Sequence, residues 1–184
     1  MVRRLRRELA MWRPERVEVC FRLAFDPDQD HPMHWRTDPA VSGGGVLADA
    51  GSHRLDILLM LFGRPDQVRA RLGNRFHAGA ERTADVQLDW PGLQAICRLE
   101  WGEGPTLDRM GFYGGARSLI LDPLDAYRPG ENPHKPLIAD FVAAVADGRP
   151  PVCPVTEAAL VDDVLVAANR SDALSGAPVR PWAR

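Results

Sequence analysis

Residues 45–62, GVLADAGSHRLDILLMLF, carry an acid, an imidazole and a second acid in a run dominated by apolar side chains. If the run is helical, Asp49, His53 and Asp56 share one face, because offsets of four and seven residues return a side chain to the same stripe. Buried without partners, each such group would cost roughly 1–3 kcal/mol. The three are therefore either satisfied structurally or line a cavity. An imidazole beside a carboxylate suits general acid–base chemistry, since an unperturbed histidine titrates at about pH 6.5. The competing structural reading is a His–Asp hydrogen bond that ties the helix to a loop.

Weaker signals lie just upstream. His31 and His34 flank a proline and, with Asp49 and His53, form a conceivable metal set. No motif fixes a fourth ligand, so exposed loop histidines are the expectation and no metal is assigned. Residues 43–48, GGGVLA, formally fit the glycine pattern of a dinucleotide turn. The residues before them, RTDPAVS, make a poor strand, so the match is read as accidental. Gly44 and Gly45 are read instead as letting an anionic or hydroxyl-rich ligand approach a helix N-terminus. Trp35 offers a stacking wall, and Arg36 a fork of donors for an anionic or carbonyl oxygen.

The elements that position these residues follow from periodicity. A short helix is expected over residues 3–11, a half-buried strand over 17–25 and a long Pro-, Asp- and His-rich loop over 26–43. The helix over 45–62 ends at Gly63. Strands follow at 67–73, 84–90, 93–101, 108–113 and 117–121, with turns at Pro91-Gly92 and Gly114-Gly115. Helices close the chain at 135–146, with Leu137, Phe141, Val142 and Val145, and at 157–174 behind an N-cap at Thr156. A run of strands followed by helices describes an α+β fold: a mostly antiparallel open sheet with helices packed on one face. Trp90 and Trp101, among apolar neighbours, are expected on the uncovered face as the seam of a homodimer.

Composition narrows the partners. The 184 residues suit one domain, with 45% hydrophobic and 26% charged residues. A net charge of -2 argues against nucleic acid. No apolar run is long enough for a bilayer, and the basic start lacks the apolar stretch of a secretory signal, so no membrane partner and a cytoplasmic location are expected. Cys20, Cys97 and Cys153 are scattered and are read as reduced thiols. Lys135 is the sole lysine.

Two stretches resemble a known family. They are Trp35-Arg36-x-Asp38-Pro39 followed by Ser42-Gly43-Gly44-Gly45-Val46-Leu47-x-Asp49-x-Gly51-x-His53-x-x-Asp56, and Asp140-Phe141-Val142-x-Ala144-x-x-Asp147-Gly148-Arg149-Pro150-Pro151 with Ser171-x-x-x-Ser175-Gly176-x-Pro178-Val179. Together they resemble the C-terminal domain of the glucose–fructose oxidoreductase/inositol dehydrogenase (Gfo/Idh/MocA) family. The resemblance implies a substrate wall that works, in family members, with a Rossmann domain binding NAD(P) for chemistry on sugars, inositols and related polyols. It implies His53 as the proton-transfer group, Asp49 as its partner, and a substrate site drawing on Trp35, Arg36, Gly44, Gly45 and Asp56. The chain reads as a single domain over 1–184 without a Rossmann unit or the family's Glu-Lys-Pro segment.

Three functions are expected from this combination. The first is a cofactor-independent acid–base enzyme of the lyase, isomerase or cyclase type, acting on a polar carbonyl- or hydroxyl-bearing small molecule. The second is the substrate-binding half of an NAD(P)-dependent sugar or polyol dehydrogenase, which needs NAD(P) only through a separate Rossmann subunit. The third is a non-enzymatic binding or assembly module.

Overall fold

The computed structural model describes residues 2–122, 132 and 134–182. Alternating apolar residues generate six strands: β1 (Arg16–Leu23), β2 (Gln67–Arg75), β3 (Glu81–Trp90), β4 (Leu93–Trp101), β5 (Leu107–Gly114) and β6 (Arg117–Leu121). They form one sheet in the order β2-β3-β4-β1-β5-β6. β1 enters between β4 and β5, parallel to β4 with Val17 opposite Ala95 and antiparallel to β5. The other described pairings are antiparallel. The β3–β4 hairpin turns through Pro91 and Gly92, where Gly92 supplies the positive φ that a two-residue turn requires.

Five α-helices are described: α1 (Val2–Leu9), α2 (Pro39–Ser42), α3 (Ser52–Phe62), α4 (Lys135–Asp147) and α5 (Val155–Ala173). The apolar phases of β1 to β5 share one core with α3 and α5. Val17, Val19, Val86, Leu88, Trp101 and Phe112 are buried there against Leu55, Leu58, Val164 and Ala168. Each large side chain so buried contributes roughly 1.5–3 kcal/mol. The α5 C-terminus also satisfies an edge. The Ala70 amide donates to Ser171 Oγ at 2.9 Å, Ser171 Oγ donates to the Ala177 carbonyl at 2.6 Å, and the Leu72 amide donates to Asp172 at 2.8 Å. Edge strand β2 thus keeps fewer open backbone groups for unwanted pairing.

The α+β architecture agrees with the sequence expectation, with four local corrections. Trp90 and Trp101 lie on the helix-covered face and are 7% and 1% exposed. The opposite phase, which includes Arg69, Arg71, Asp85, Gln87, Arg98 and Glu100, leaves the open face charged, with Arg69 paired to Asp89 and Arg22 to Glu100. The alternation was real, but the helices took the apolar phase. Second, residues 45–62 are not one uniform helix: a π-helical turn, Leu47–Gly51, precedes α3. Third, α5 begins at Val155 behind Pro154, so Thr156 lies inside its first turn. Fourth, α4 is exposed on nearly all sides, its apolar residues included, and only Ala144 of that helix is buried.

Candidate functional site

The site is assembled around the start of α3. Asp38 caps α2 by accepting the Ala40 amide at 2.9 Å, and Gly43 ends that short helix at φ +80°. The chain then meets the start of β3. The Gly45 amide donates to Glu81 Oε2 at 2.9 Å, and the Leu47 amide donates to Glu81 Oε1 at 3.1 Å. Glu81 is 5% exposed. The helix start therefore does bind an anion, but the anion is the protein's own carboxylate. A Cβ on Gly45 would fall 2.0 Å from the Glu81 carbonyl oxygen, which gives the physical need for glycine here. Gly45 is accordingly a buried packing position, and Gly44 beside it is half-buried.

These contacts decide the fit of a dinucleotide. A helix, α2, precedes the glycine run where a phosphate turn needs a strand, and both amides aimed out of the run are taken by Glu81. Residues 43–48 do not fit a pyrophosphate. A calorimetric titration of this chain alone with NAD(H) or NADP(H) is expected to show no micromolar binding. Tight stoichiometric heat would reopen the assignment of that segment.

Asp49 lies on the π-helical turn, a deviation often found at functional positions. Its carboxylate accepts Arg36 Nη1 at 2.8 Å, and no hydrogen bond joins it to His53 among the described residues. Arg36 comes from a 3-10 turn, His34–Thr37, and its guanidinium sits 5.4 Å from the ring centroid of Trp35. Trp35 is 46% exposed and walls this corner. Arg36 Nε is buried with no partner, an uncompensated donor beside Asp49.

His53 stands exposed on the first turn of α3. The acid within its electrostatic reach is Asp56. Burial pushes the Asp56 carboxyl above the usual range, the charge of His53 opposes this, and Glu157 adds to the rise. Asp56 and Glu157 line a cavity of about 220 Å³ with Arg6, Leu59, Met60 and Leu160. Asp56 thus looks into a space between α1, α3 and α5. His31 and His34 lie on the preceding loop, where His31 Nδ1 accepts the Met33 amide at 3.1 Å. Among the described residues, no three His, Cys, Asp or Glu side chains are arranged to hold a metal ion.

The structure thus brings Trp35, Arg36 and Asp49 together, puts His53 exposed on the first turn of α3 four residues after Asp49, and buries Gly45. Two further groups hold the site in place. Arg54 forks onto Asp108, with Nε at 3.3 Å and Nη2 at 2.5 Å from its two oxygens. It also donates to the Ala50 carbonyl at 2.9 Å and covers the Phe21 ring at 4.2 Å. The fork locks the start of α3 to the sheet. Asp108 shares the inward phase of Met110 and Phe112, so a carboxylate at that position signalled a buried partner. Glu81 carried no comparable signal, because its partner amides belong to a turn 36 residues upstream.

The model of the GFO/IDH/MocA C-terminal domain matches residues 2–120. Solved structures match the fold over nearly the whole chain. GenD2 from gentamicin A biosynthesis, in complex with NAD, is 23% identical, with a TM-score of 0.79 over 97% of this chain and 59% of that one. The aldose–aldose oxidoreductase from Caulobacter crescentus, complexed with glycerol, is 21% identical with a TM-score of 0.81 over the same shares, 97% and 59%. The WlbA dehydrogenase from Bordetella pertussis, in complex with NADH and UDP-GlcNAcA, is 18% identical with a TM-score of 0.80, again over 97% and 59%. At these identities the likeness establishes the fold. This chain spans about three fifths of the length of those structures. No curated protein matches it.

Proposed function

The chain belongs to the Gfo/Idh/MocA family as its C-terminal domain, and from that premise we propose that it is the substrate-binding half of an NAD(P)-dependent oxidoreductase of sugars or related polyols. The observation that carries the reading is an exposed His53 on the first turn of α3, four residues after the Asp49 that pairs with Arg36. The structural neighbours, named as oxidoreductases and dehydrogenases, favour it over the lyase, isomerase or cyclase reading. In the proposal, His53 takes the proton from a substrate hydroxyl, or returns it to a carbonyl oxygen. Arg36, held by Asp49, offers its remaining donors to a substrate oxygen, and Trp35 walls the ring or chain. Redox chemistry belongs to a nucleotide-binding domain, since residues 43–48 do not fit a dinucleotide.

The test is turnover of a panel of sugars and polyols with NAD(P), by this chain with and without a Rossmann domain supplied as a separate polypeptide. Reduced nicotinamide should form only when both are present. Conversion of a substrate by this chain alone, without nicotinamide, would overturn the proposal and restore the cofactor-independent reading.

We also propose self-association through the open sheet face. A trough of about 430 Å³ there is lined by Arg69, Arg71, Asp85, Gln87, Ile96 and Arg98. Arginines and acids intermixed on one face complement a second copy turned by a two-fold axis. Because the groups are charged and solvent-facing, the dimer should weaken as salt shortens the Debye length from about 10 Å at 0.1 M to about 3 Å at 1 M. Light scattering that gives a monomer at low salt would count against it. No helix of the described residues is long and apolar enough to cross a membrane.

A further inference from the structure

Two successive carbonyls of the π-helical turn accept side-chain donors from the start of α3. Ser52 Oγ donates to the Asp49 carbonyl at 2.8 Å, and Arg54 Nη1 donates to the Ala50 carbonyl at 2.9 Å. His53 lies between these two donors in the sequence. Arg54 is itself held. Its other nitrogens fork onto Asp108, and the side chains of this pair are 13% and 8% exposed. The sheet provides a seat for the turn. Leu99 of β4, Phe21 of β1 and Asp108 of β5 are register partners, one row across three adjacent strands. Arg54 covers the Phe21 ring and pairs with Asp108, while a Cβ on Gly51 would fall 2.8 Å from Leu99 Cδ1. The turn and the first turn of α3 thus rest on all three strands through one row of side chains.

A π turn carries one residue more than the α turn it interrupts. Glu81 fixes the upstream end of this stretch at Gly45 and Leu47, and Leu55 and Leu58 fix the downstream end in the core. The phase of Asp49 against His53 is set between those ends. One residue gained or lost by the turn rotates the two against each other by about 100°. We infer that Ser52 and the Arg54–Asp108 fork are positioning residues, which hold the widened turn and so fix the Arg36–Asp49 pair in its orientation relative to His53. The inference rests on the function proposed above for those groups. Ser52 and Arg54 act through backbone carbonyls, and the guanidinium bond to Ala50 is the stronger of the two because it is charge-assisted.

The test removes the fork without stranding a buried charge. In the full chain, Arg54→Met with Asp108→Leu replaces the ion pair by apolar side chains, an exchange that is often neutral for stability. Ser52→Ala removes the second donor alone. Hydrogen exchange across residues 47–53 should speed up by about tenfold in the double variant and about threefold in Ser52→Ala, the steps expected for losing a charged and a neutral hydrogen bond. Exchange in α5 should stay at the wild-type rate. Paired with a nucleotide-binding domain supplied as a separate polypeptide, the double variant should lose about 10–100-fold in kcat with KM nearly unchanged. Substrate would still meet Arg36 but lie out of line with His53. Partial unfolding would lower kcat only by the folded fraction that circular dichroism reads. Wild-type exchange at residues 47–53 in the folded variants overturns the inference, and so does full kcat in a folded double variant. If the double variant does not fold, Ser52→Ala decides alone. Faster exchange in the variants, with a wild-type pair that turns over no sugar or polyol, supports the positioning role and removes the proposed function. An active wild-type pair whose variants exchange and turn over normally does the opposite.

Discussion

Under the proposed function, His53→Ala in this chain paired with a nucleotide-binding domain should lower turnover by about 10²–10⁴-fold, the usual span for losing a general acid–base group. His53 is exposed on the first turn of α3, so it can reach a substrate oxygen without rearrangement of the core. His53→Asn should be nearly as damaging, because an amide keeps a hydrogen bond but cannot carry the proton. Asp49→Asn should do less harm to kcat. Its carboxylate is engaged by Arg36 at 2.8 Å, so its loss loosens the guanidinium proposed to hold substrate and should act mainly on KM. The exposed position of His53 keeps the variant's fold intact, which circular dichroism checks. A folded His53→Ala protein with full activity would remove the assignment and turn attention to Asp56, or to His31 and His34.

The split between Asp49 and His53 shows where spacing stops being informative. Four residues on a helix place two side chains on one stripe, and this much was readable. Which partner each takes depends on what the rest of the chain brings. Here a guanidinium 13 residues upstream reaches Asp49, while a π-helical turn breaks the regular rise between the two positions. Strand alternation was legible because burial of one face writes a period of two into the sequence: Ala84, Val86, Leu88 and Trp90 all proved buried together. The parallel placement of β1 beside β4 was not legible, because it is decided by nonlocal pairing. The apolar residues of α4 were readable, yet nothing local says whether such residues meet their own core or stay exposed. The recognisable stretch from Trp35 to Asp56 identified the domain, but it gave no notice of Glu81, whose partners are backbone amides without a side-chain signature.

Glu81 is for that reason the site of the second large effect. Glu81→Ala should destabilise the fold by about 2–6 kcal/mol, because two buried amides at the helix start lose their acceptors at roughly 1–3 kcal/mol each. For a chain of this size about 1 kcal/mol moves Tm by about 2–4 °C, so Tm should fall by about 4–24 °C. Glu81→Gln should cost about half as much, since its carbonyl oxygen still serves one amide while its NH2 faces the other. Gly45→Ala probes the same contact from the opposite side. Its methyl group would press on the Glu81 carbonyl carbon, nitrogen and oxygen at 2.8, 2.6 and 2.0 Å, so either the strand or the helix start must move. Overpacking of that kind costs typically about 1–3 kcal/mol and sometimes more. Any shift of the helix start also displaces Asp49 from Arg36, so residual folded Gly45→Ala protein should bind substrate more weakly. Thermal melts of the three variants test the chain of reasoning in order. Wild-type stability in Glu81→Ala would show that the carboxylate does not hold the helix start. The glycine run would then regain its standing as an anion site for something other than the protein itself.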